Sequence, residues 1–234
     1  MDVWRHKLGL IVPSWNTVME YEIQRMAGGA FSVHTMRIAH TADTEENLLW
    51  LATQATDAAR LLAHARVNVI CYGCTASGFL KGPHKDREIG AEIEAVTGIA
   101  AATTSGSVVE ALRALGARRV SVATAYEPWL NERVRSYLEA AGFAVAEIRG
   151  FGTQAHAAIT PERVAALAAE VDRPEAEALF VSCSNLRTLE IIEPVERSIG
   201  KPVVTSNQAS LWKMLRLIGD RRDIPGAGRL LREA

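Results

Sequence analysis

The sequence has few cysteines, no long apolar run and no excess of either charge. Its 234 residues include only three cysteines, an odd number that does not suggest a disulfide framework, so free thiols are expected. No stretch approaches the roughly eighteen consecutive apolar residues of a membrane span, and the apolar run near residue 1 is too short for a secretory signal. We therefore expect a cytoplasmic protein with no membrane partner.

The charge of the chain and the motifs it lacks argue against nucleic-acid-binding, metal-binding and nucleotide-binding proteins. The formal net charge is -1 and the 26 cationic residues are scattered, so no basic field for a nucleic-acid partner is expected. The six histidines include no pair at metal-ligand spacing, and no Cys/His cluster resembles a zinc site. The chain also lacks a G-x-G-x-x-G or Walker loop. We expect no metal and no nucleotide cofactor.

What the chain does contain is an alternation of short β-branched apolar runs with longer segments of helical period. This alternation is typical of βα units that build a parallel sheet, and the 48% hydrophobic content is ample for packed cores. The predicted strands cover residues 7–12, 31–38, 67–72, 99–102, 118–124, 143–149, 177–182 and 202–205.

The two halves of the sequence resemble each other. "LGLIVPSWN" has a counterpart in "VSVATAYEPWLN", and "VNVICYGCTAS" has one in "EALFVSCSNLR". A similar spacing between similar strand ends indicates a duplicated four-stranded α/β unit. We predict one half over 1–110 and a second over 111–206, with a C-terminal helical segment, 207–234, that returns to the first half.

Helix signals accompany the predicted strands. Thr44 is a predicted N-cap for one helix over 45–65, and Thr160 with Pro161 opens a later helix. Residues 48–51 of the first helix are all apolar (LLWL), more than one buried face needs. A homodimer or higher homo-oligomer is therefore a possible assembly.

Cys74 and Cys183 stand at matching positions, each just after a predicted strand and before a helical segment. Ligands of open parallel sheets bind beyond the carboxyl ends of the strands, and backbone N–H groups at a helix start lower a thiol pKa. Two such cysteines facing one cleft suit proton transfer or nucleophilic addition on a small carbon skeleton.

Other interpretations of the cysteines compete with this one. Each cysteine on its own is more often a small buried residue. Cys71 and Cys74 also form a Cys-x-x-Cys, which would predict a reversible disulfide, although Cys71 lies inside the apolar run. A non-catalytic protein that binds small acids in the same cleft is a further alternative.

The motifs "GLIVPSWNTVMEYE", "YGCTASG", "ATAYEPWLNERV", "VSCSNLRT" and "KPVVTSNQASLWKMLRLIG" together resemble a known family. It is the maleate cis-trans isomerase and arylmalonate decarboxylase branch of the aspartate/glutamate racemase superfamily, and the likeness runs through the whole chain. The resemblance implies an α/β fold of two pseudo-symmetric flavodoxin-like halves, each a four-stranded parallel sheet flanked by helices. It also implies an active site in the cleft between the halves and no cofactor.

The resemblance also implies roles for individual residues. Cys74 and Cys183 match the two catalytic cysteines of the family, and the presence of both favours an isomerase or racemase over a decarboxylase. The residues it implies for binding a small carboxylate substrate are Ser14, Asn16, Thr75, Ala76, Tyr126 and Ser184. Asn16 is also a candidate N-cap for the helix that follows it.

Some residues depart from the family pattern. Trp15 stands where maleate isomerases usually carry a small polar residue, and Ala76 replaces a frequent serine. The segment 151–156 lacks an expected acid–asparagine pair, for which Gln154 or His156 is the candidate replacement.

The reaction first expected is maleate cis-trans isomerisation, with addition of the Cys74 thiolate and Cys183 as acid and base. The alternatives are a two-base racemase of amino acids or hydantoins, and an arylmalonate-type decarboxylase.

Overall fold

The computed structural model describes residues 4–234, and in that part of the chain eight strands form two sheets. Every strand pair is parallel, so the predicted pair of four-stranded parallel sheets is confirmed. The strands are β1 (His6–Pro13), β2 (Phe31–Ile38), β3 (Val69–Tyr72), β4 (Ala101–Thr103), β5 (Arg119–Thr124), β6 (Ala144–Gly150), β7 (Ala178–Ser182) and β8 (Val203–Thr205).

The two sheets have the same strand order, β2-β1-β3-β4 in one and β6-β5-β7-β8 in the other. In each sheet the second strand in the chain pairs on one side of the first strand, and the third strand pairs on the opposite side. The direction in which strands are added therefore reverses between the two central strands. The crevice at such a reversal, beyond the carboxyl ends of the two central strands, is where open α/β sheets bind ligands. Here it lies at the ends of β1 and β3 in one half and of β5 and β7 in the other.

Helices flank both sheets and connect the strands. They are α1 (Met19–Ala27), α2 (Glu45–Thr53), α3 (Ala55–His64), α4 (Thr75–Leu80), α5 (Gly82–Thr97), α6 (Thr104–Ala114), α7 (Pro128–Ala140), α8 (Pro161–Val171), α9 (Ile192–Ile199), α10 (Ser206–Leu217) and α11 (Leu230–Glu233).

Burial explains why the central strands were recognisable in the sequence. Every residue of β3 (VICY) and of β7 (ALFVS) is buried, because helices cover both faces of a parallel sheet. The edge strands β2 and β6 contain several half-buried or exposed residues. The continuous apolar runs thus mark the strands whose ends carry the two cysteines.

The predicted helix caps are confirmed, whereas one predicted helix is interrupted. The Thr44 side chain accepts a hydrogen bond from Asn47 N, and the Thr160 side chain accepts one from Arg163 N. The prediction of a single helix over 45–65 is wrong, since the chain turns at Gln54 between α2 and α3. The two helices have different partners: α2 packs against α4, while α3 packs against β2 and α5.

The apolar cluster in α2 is only partly buried. Leu48 and Leu51 are fully buried, whereas Trp50 is 45% exposed. The homodimer or higher homo-oligomer stays a prediction.

The two halves are joined by buried polar contacts and by α10. Glu22 in α1 accepts hydrogen bonds from Thr188 N and Leu189 N of the second half and from Asn207 Nδ2 at the start of α10. Helix α10 packs against α1 and α6 and lies beside β3 and β4. The division into 1–110 and 111–206, with 207–234 returning to the first half, stays a prediction.

Within residues 4–234, no helix combines the length and the apolar character that crossing a membrane requires.

Candidate active site

A small pocket lies where the carboxyl ends of the central strands of both sheets meet. It encloses about 260 Å³ of space not occupied by atoms, part of it open to solvent. Only about 20 Å³ of that space can hold the centre of a water-sized sphere, about the room of one water molecule, so the pocket is nearly closed in this conformation. Its lining consists of Pro13, Trp15, Asn16, Asp43, Cys74, Thr75, Ala76, Tyr126, His156, Cys183, Ser184 and Asn185.

The pocket brings together seven of the eight residues predicted for the site. Both cysteines line it, together with Asn16, Thr75, Ala76, Tyr126 and Ser184. Ser14 is exposed and is not part of this lining. Its Oγ instead donates to His40 O and accepts from His40 N, which holds the loop after β2 against the end of β1.

Cys74 is placed by a tight passage from β3 into α4. A side chain at Gly73 would collide with Met19 Sδ at 2.6 Å, and one at Gly78 with Ser105 Oγ. The two glycines therefore allow β3 and α4 to lie close to α1 and α6. Cys74 itself, 4% exposed, is the extended residue that precedes α4.

The environment of the Cys74 thiol has opposing electrostatic effects. Burial raises its pKa to about 12, and the charge of Asp43 acts in the same direction. Hydrogen bonds from the backbone N–H groups of Ser77 and Ala76 lower that pKa. The free protein therefore holds Cys74 as a thiol, while donors for a thiolate are already in place.

Cys183 occupies the equivalent position after β7, with a strained backbone. Its φ of 134° lies in a region that residues with side chains rarely adopt. The conformation is held by Cys183 N, which donates to Ser206 Oγ at 3.1 Å. Asn185 N lies 3.4 Å from the Cys183 sulfur and donates to it. Strain of this kind accumulates at functional sites, where surrounding contacts enforce it.

Burial also raises the pKa of the Cys183 thiol, and the charge of Asp43 raises it further. The Asn185 N–H and the Tyr126 hydroxyl oppose this shift by hydrogen bonding to the sulfur. Tyr126 is itself buried, which raises its pKa well above the usual value, so its hydroxyl stays protonated and able to donate.

Asn16 and Ser184 connect the two halves at the pocket floor. Asn16 Nδ2 donates to Ser184 Oγ at 3.0 Å, and Ser184 Oγ donates to Gly73 O at 2.9 Å. Asn16 Oδ1 accepts from the backbone N–H groups of Val18 and Met19 at the start of α1. Asn16 therefore caps the chain before the helix, and one hydrogen of its amide remains for another acceptor.

Thr75 contributes an unused donor. It is 1% exposed, it lines the pocket, and its Oγ1 has no hydrogen-bond partner among residues 4–234. Because buried polar groups are nearly always paired, an unpaired hydroxyl on a residue that lines a pocket indicates a place for a ligand atom.

His40 and Asp43 were not predicted from the sequence, and His156 was a candidate only as the replacement for an asparagine. His156 Nδ1 lies 3.4 Å from the Cys183 sulfur, and its Nε2 lies 3.5 Å from Asp43 Oδ2. Asp43 Oδ1 is 2.9 Å from His40 Nε2. Their positions in the sequence could have indicated them, because His40 and Asp43 follow β2 and His156 follows the equivalent strand β6.

Gln154, the other candidate replacement, lies behind the pocket. Its Oε1 accepts a hydrogen bond from Asp43 N at 2.8 Å, so it fixes the Asp43 loop and is not part of the lining.

Cys71 lies apart from the pocket. It is fully buried in β3, its sulfur is 3.9 Å from Thr104 Oγ1, and burial raises its pKa to about 11. All three cysteines are free thiols. The arrangement gives no support to a redox pair of Cys71 and Cys74.

Comparison with known proteins links this geometry to characterised enzymes. The sequence model of the arylmalonate decarboxylase family matches residues 8–231. Maleate isomerase of Nocardia farcinica is 35% identical over 240 residues, which cover 97% of this chain and 96% of the relative. Arylmalonate decarboxylase of Bordetella bronchiseptica is 33% identical over 184 residues, 76% of this chain and 77% of the relative.

Solved structures agree with the sequence comparison. A structure of Nocardia farcinica maleate cis-trans isomerase bound to Tris superposes with a TM-score of 0.93 at 31% identity, covering 97% of this chain and 98% of the other. A cysteine-to-serine variant of that enzyme, with a covalently bound succinylcysteine intermediate, has a TM-score of 0.94 at 30% identity over 98% of this chain and 99% of the other.

Proposed function

Because the chain belongs to the maleate isomerase and arylmalonate decarboxylase branch of the aspartate/glutamate racemase superfamily, we propose that it isomerises maleate to fumarate. The observation that carries the proposal is the pair of thiols, Cys74 and Cys183, in one small pocket at equivalent strand ends. A relative that forms a succinylcysteine intermediate supports the same chemistry.

In the proposed reaction the Cys74 thiolate adds to C2 of maleate. The S–C2 bond forms as the C2–C3 π pair moves toward C3 and its carboxylate, and the Cys183 thiol gives its proton to C3. The product is a succinyl adduct on Cys74, in which C2–C3 is a single bond that rotates. The Cys183 thiolate then removes a proton from C3, the double bond re-forms, and the Cys74 thiolate leaves.

The substrate carboxylates would be held by neutral donors. The described lining contains no lysine or arginine, so charge is met by hydrogen bonds rather than ion pairs. The Thr75 hydroxyl has no competing partner, the Tyr126 hydroxyl stays protonated, and Asn16 keeps one amide hydrogen. Removing one such donor at a developing charge typically costs about 3 kcal/mol of barrier, on the order of a hundredfold in rate.

The test is a substrate panel followed by proton NMR in deuterated buffer. Maleate is incubated with the purified protein beside aspartate, glutamate, a hydantoin and an arylmalonate. Conversion of maleate to fumarate is the expected result. Exchange of an α-hydrogen without isomerisation would indicate the two-base racemase, and loss of carbon dioxide from the arylmalonate would indicate a decarboxylase.

Cysteine variants separate the addition mechanism from other routes. Cys74→Ser should abolish isomerisation, while Cys71→Ser, a matched change at the buried thiol outside the pocket, should leave it intact. Cys183→Ser incubated with maleate should gain the mass of one maleic acid on the peptide that contains Cys74. Maleate conversion by Cys74→Ser at the parent rate would refute the role of Cys74.

A further inference from the structure

A line of buried side chains leads from Cys183 into the protein, and the proposed reaction leaves it without a role. His156 Nδ1 faces the Cys183 sulfur at 3.4 Å, and Nε2 faces Asp43 Oδ2 at 3.5 Å. The other oxygen of Asp43 is 2.9 Å from His40 Nε2. His40, Asp43 and His156 are each at most 7% exposed.

One proton arrangement satisfies these contacts. If both imidazoles are neutral with hydrogen on Nε2, each N–H is directed at one oxygen of an ionised Asp43. His156 Nδ1 then carries a lone pair toward the Cys183 thiol, as the imidazole base of a catalytic triad does toward its nucleophile. Burial lowers the pKa of His156, whereas the charge of Asp43 and a hydrogen bond to the Thr153 backbone raise it. The protonated ring would therefore have Asp43 beside it as a counter-ion.

The ring is also held in place from the sides. Trp15 meets His156 edge-on at 5.4 Å between ring centroids, and Tyr126 does so at 5.8 Å. Trp15 also packs on His40 at 4.8 Å, while Gln154 holds the backbone of Asp43. The two loops that follow β2 and β6 therefore fix His156 with one nitrogen toward a reacting sulfur.

The addition mechanism needs a proton acceptor of this kind. In the free protein, burial raises the pKa values of both pocket thiols, yet addition requires Cys74 as thiolate with Cys183 still carrying a proton. One proton therefore has to leave the pair of thiols, and a base beside the sulfurs has to hold it.

We propose that His156 holds the proton that the two-cysteine pair releases when Cys74 becomes a thiolate, and that Asp43 and His40 are positioning residues for its ring. This inference rests on the proposed function. Cys183 passes its proton to His156 Nδ1 and takes up the one from Cys74, which leaves a Cys74 thiolate, a Cys183 thiol and an imidazolium next to Asp43.

The later steps keep the same proton count. When Cys183 protonates C3, its thiolate faces the His156 imidazolium across the 3.4 Å contact. When it removes the C3 proton again and the Cys74 thiolate leaves, the pocket holds a Cys74 thiolate, a Cys183 thiol and the His156 imidazolium, which is the state from which addition began. No proton enters from solvent and none is lost over the cycle.

The first test is the pH dependence of kcat for His156→Gln, a variant that keeps hydrogen bonding but cannot hold the proton. We expect kcat at neutral pH to fall by about a hundredfold or more, with a smaller change in KM. The loss should shrink as pH rises, because hydroxide then removes the proton.

The titratable groups that face His156 are Asp43, His40, Cys183, Tyr126 and, across the pocket, Cys74.

Control variants separate this role from a structural one. His84→Gln changes a histidine whose side chain is 78% exposed and should leave the pH profile unchanged. Asp43→Asn should lower kcat on its own but add little to His156→Gln, since residues in one network are not additive. A parent-like kcat for His156→Gln, or a pH profile parallel to that of the parent, would overturn the inference.

A second measurement does not depend on maleate. Alkylation of Cys183 by iodoacetamide, mapped by peptide mass, should slow by about tenfold or more in His156→Gln and in Asp43→Asn, because the thiolate form loses its imidazolium partner. Equal alkylation rates in parent and both variants would refute the inference. A parent that fails to convert maleate but shows this slowing would refute the proposed function alone.

Discussion

Replacing Thr75 by valine should make the protein more stable and less active at once. Thr75 lines the pocket, and its hydroxyl is buried with no partner among the described residues. An unsatisfied buried polar group costs about 1–3 kcal/mol, and valine has nearly the shape of threonine without the hydroxyl. We therefore expect the free energy of unfolding of Thr75→Val to rise by about 1 kcal/mol.

The same hydroxyl should matter once a carboxylate occupies the pocket. A hydrogen bond to a charged group contributes about 1.5–3 kcal/mol, so kcat/KM for maleate should fall by roughly tenfold to a hundredfold in Thr75→Val. Urea unfolding followed by circular dichroism gives the stability. Initial rates of fumarate formation give the activity of the same preparation.

Two other threonines provide matched controls. Thr104 Oγ1 is buried but lies 2.9 Å from Ser210 Oγ, so Thr104→Val should lose stability. Thr35 Oγ1 is also without a partner but is outside the pocket lining, so Thr35→Val should gain stability and keep its activity. A loss of stability in Thr75→Val as large as that in Thr104→Val, or an unchanged kcat/KM, would refute the reasoning.

Two further predictions concern buried carboxylates. Glu22→Ala leaves the N–H groups of Thr188 and Leu189 without their acceptor. An unsatisfied buried donor costs about 1–3 kcal/mol, so urea unfolding should show a loss of about 2–6 kcal/mol for the two donors, with a smaller loss for Glu22→Gln. Similar small losses for both variants would contradict this. Burial raises the pKa of Asp86 from 3.8 to about 6. The folded state thus binds this proton more tightly, and about 3 kcal/mol of stability should disappear as pH rises from about 4 through 6. Asp86→Asn should lack that decline, and parallel curves for parent and variant would disprove it.

The sequence was sufficient to predict the framework of the site. The central strands are buried on both faces by helices, so their residues form continuous apolar runs that end abruptly at a glycine, cysteine or hydroxyl residue. Parallel strands place all such ends at one edge of a sheet. The positions of Cys74 and Cys183 after β3 and β7 follow from that order, whereas the choice of Asn16 and Tyr126 came from the resemblance to the family.

Helix boundaries inside an apolar segment were less accessible. The apolar period of residues 45–65 fits one continuous helix. Helix propensity is a local property and contains no information that α2 and α3 pack against different partners. The chain turns at Gln54 so that each helix can bury its own apolar face.

Only the tertiary structure decided which side chains face the cysteines. His40 and Asp43 follow β2, His156 follows β6, and the two loops come from different halves of the chain. Their contacts depend on how the two sheets pack and on the path of each loop, neither of which local sequence patterns encode. The same packing left Ser14 outside the pocket lining. The sequence by itself therefore determined where the two thiols lie, whereas the packing of the halves decided that one of them has an imidazole beside it.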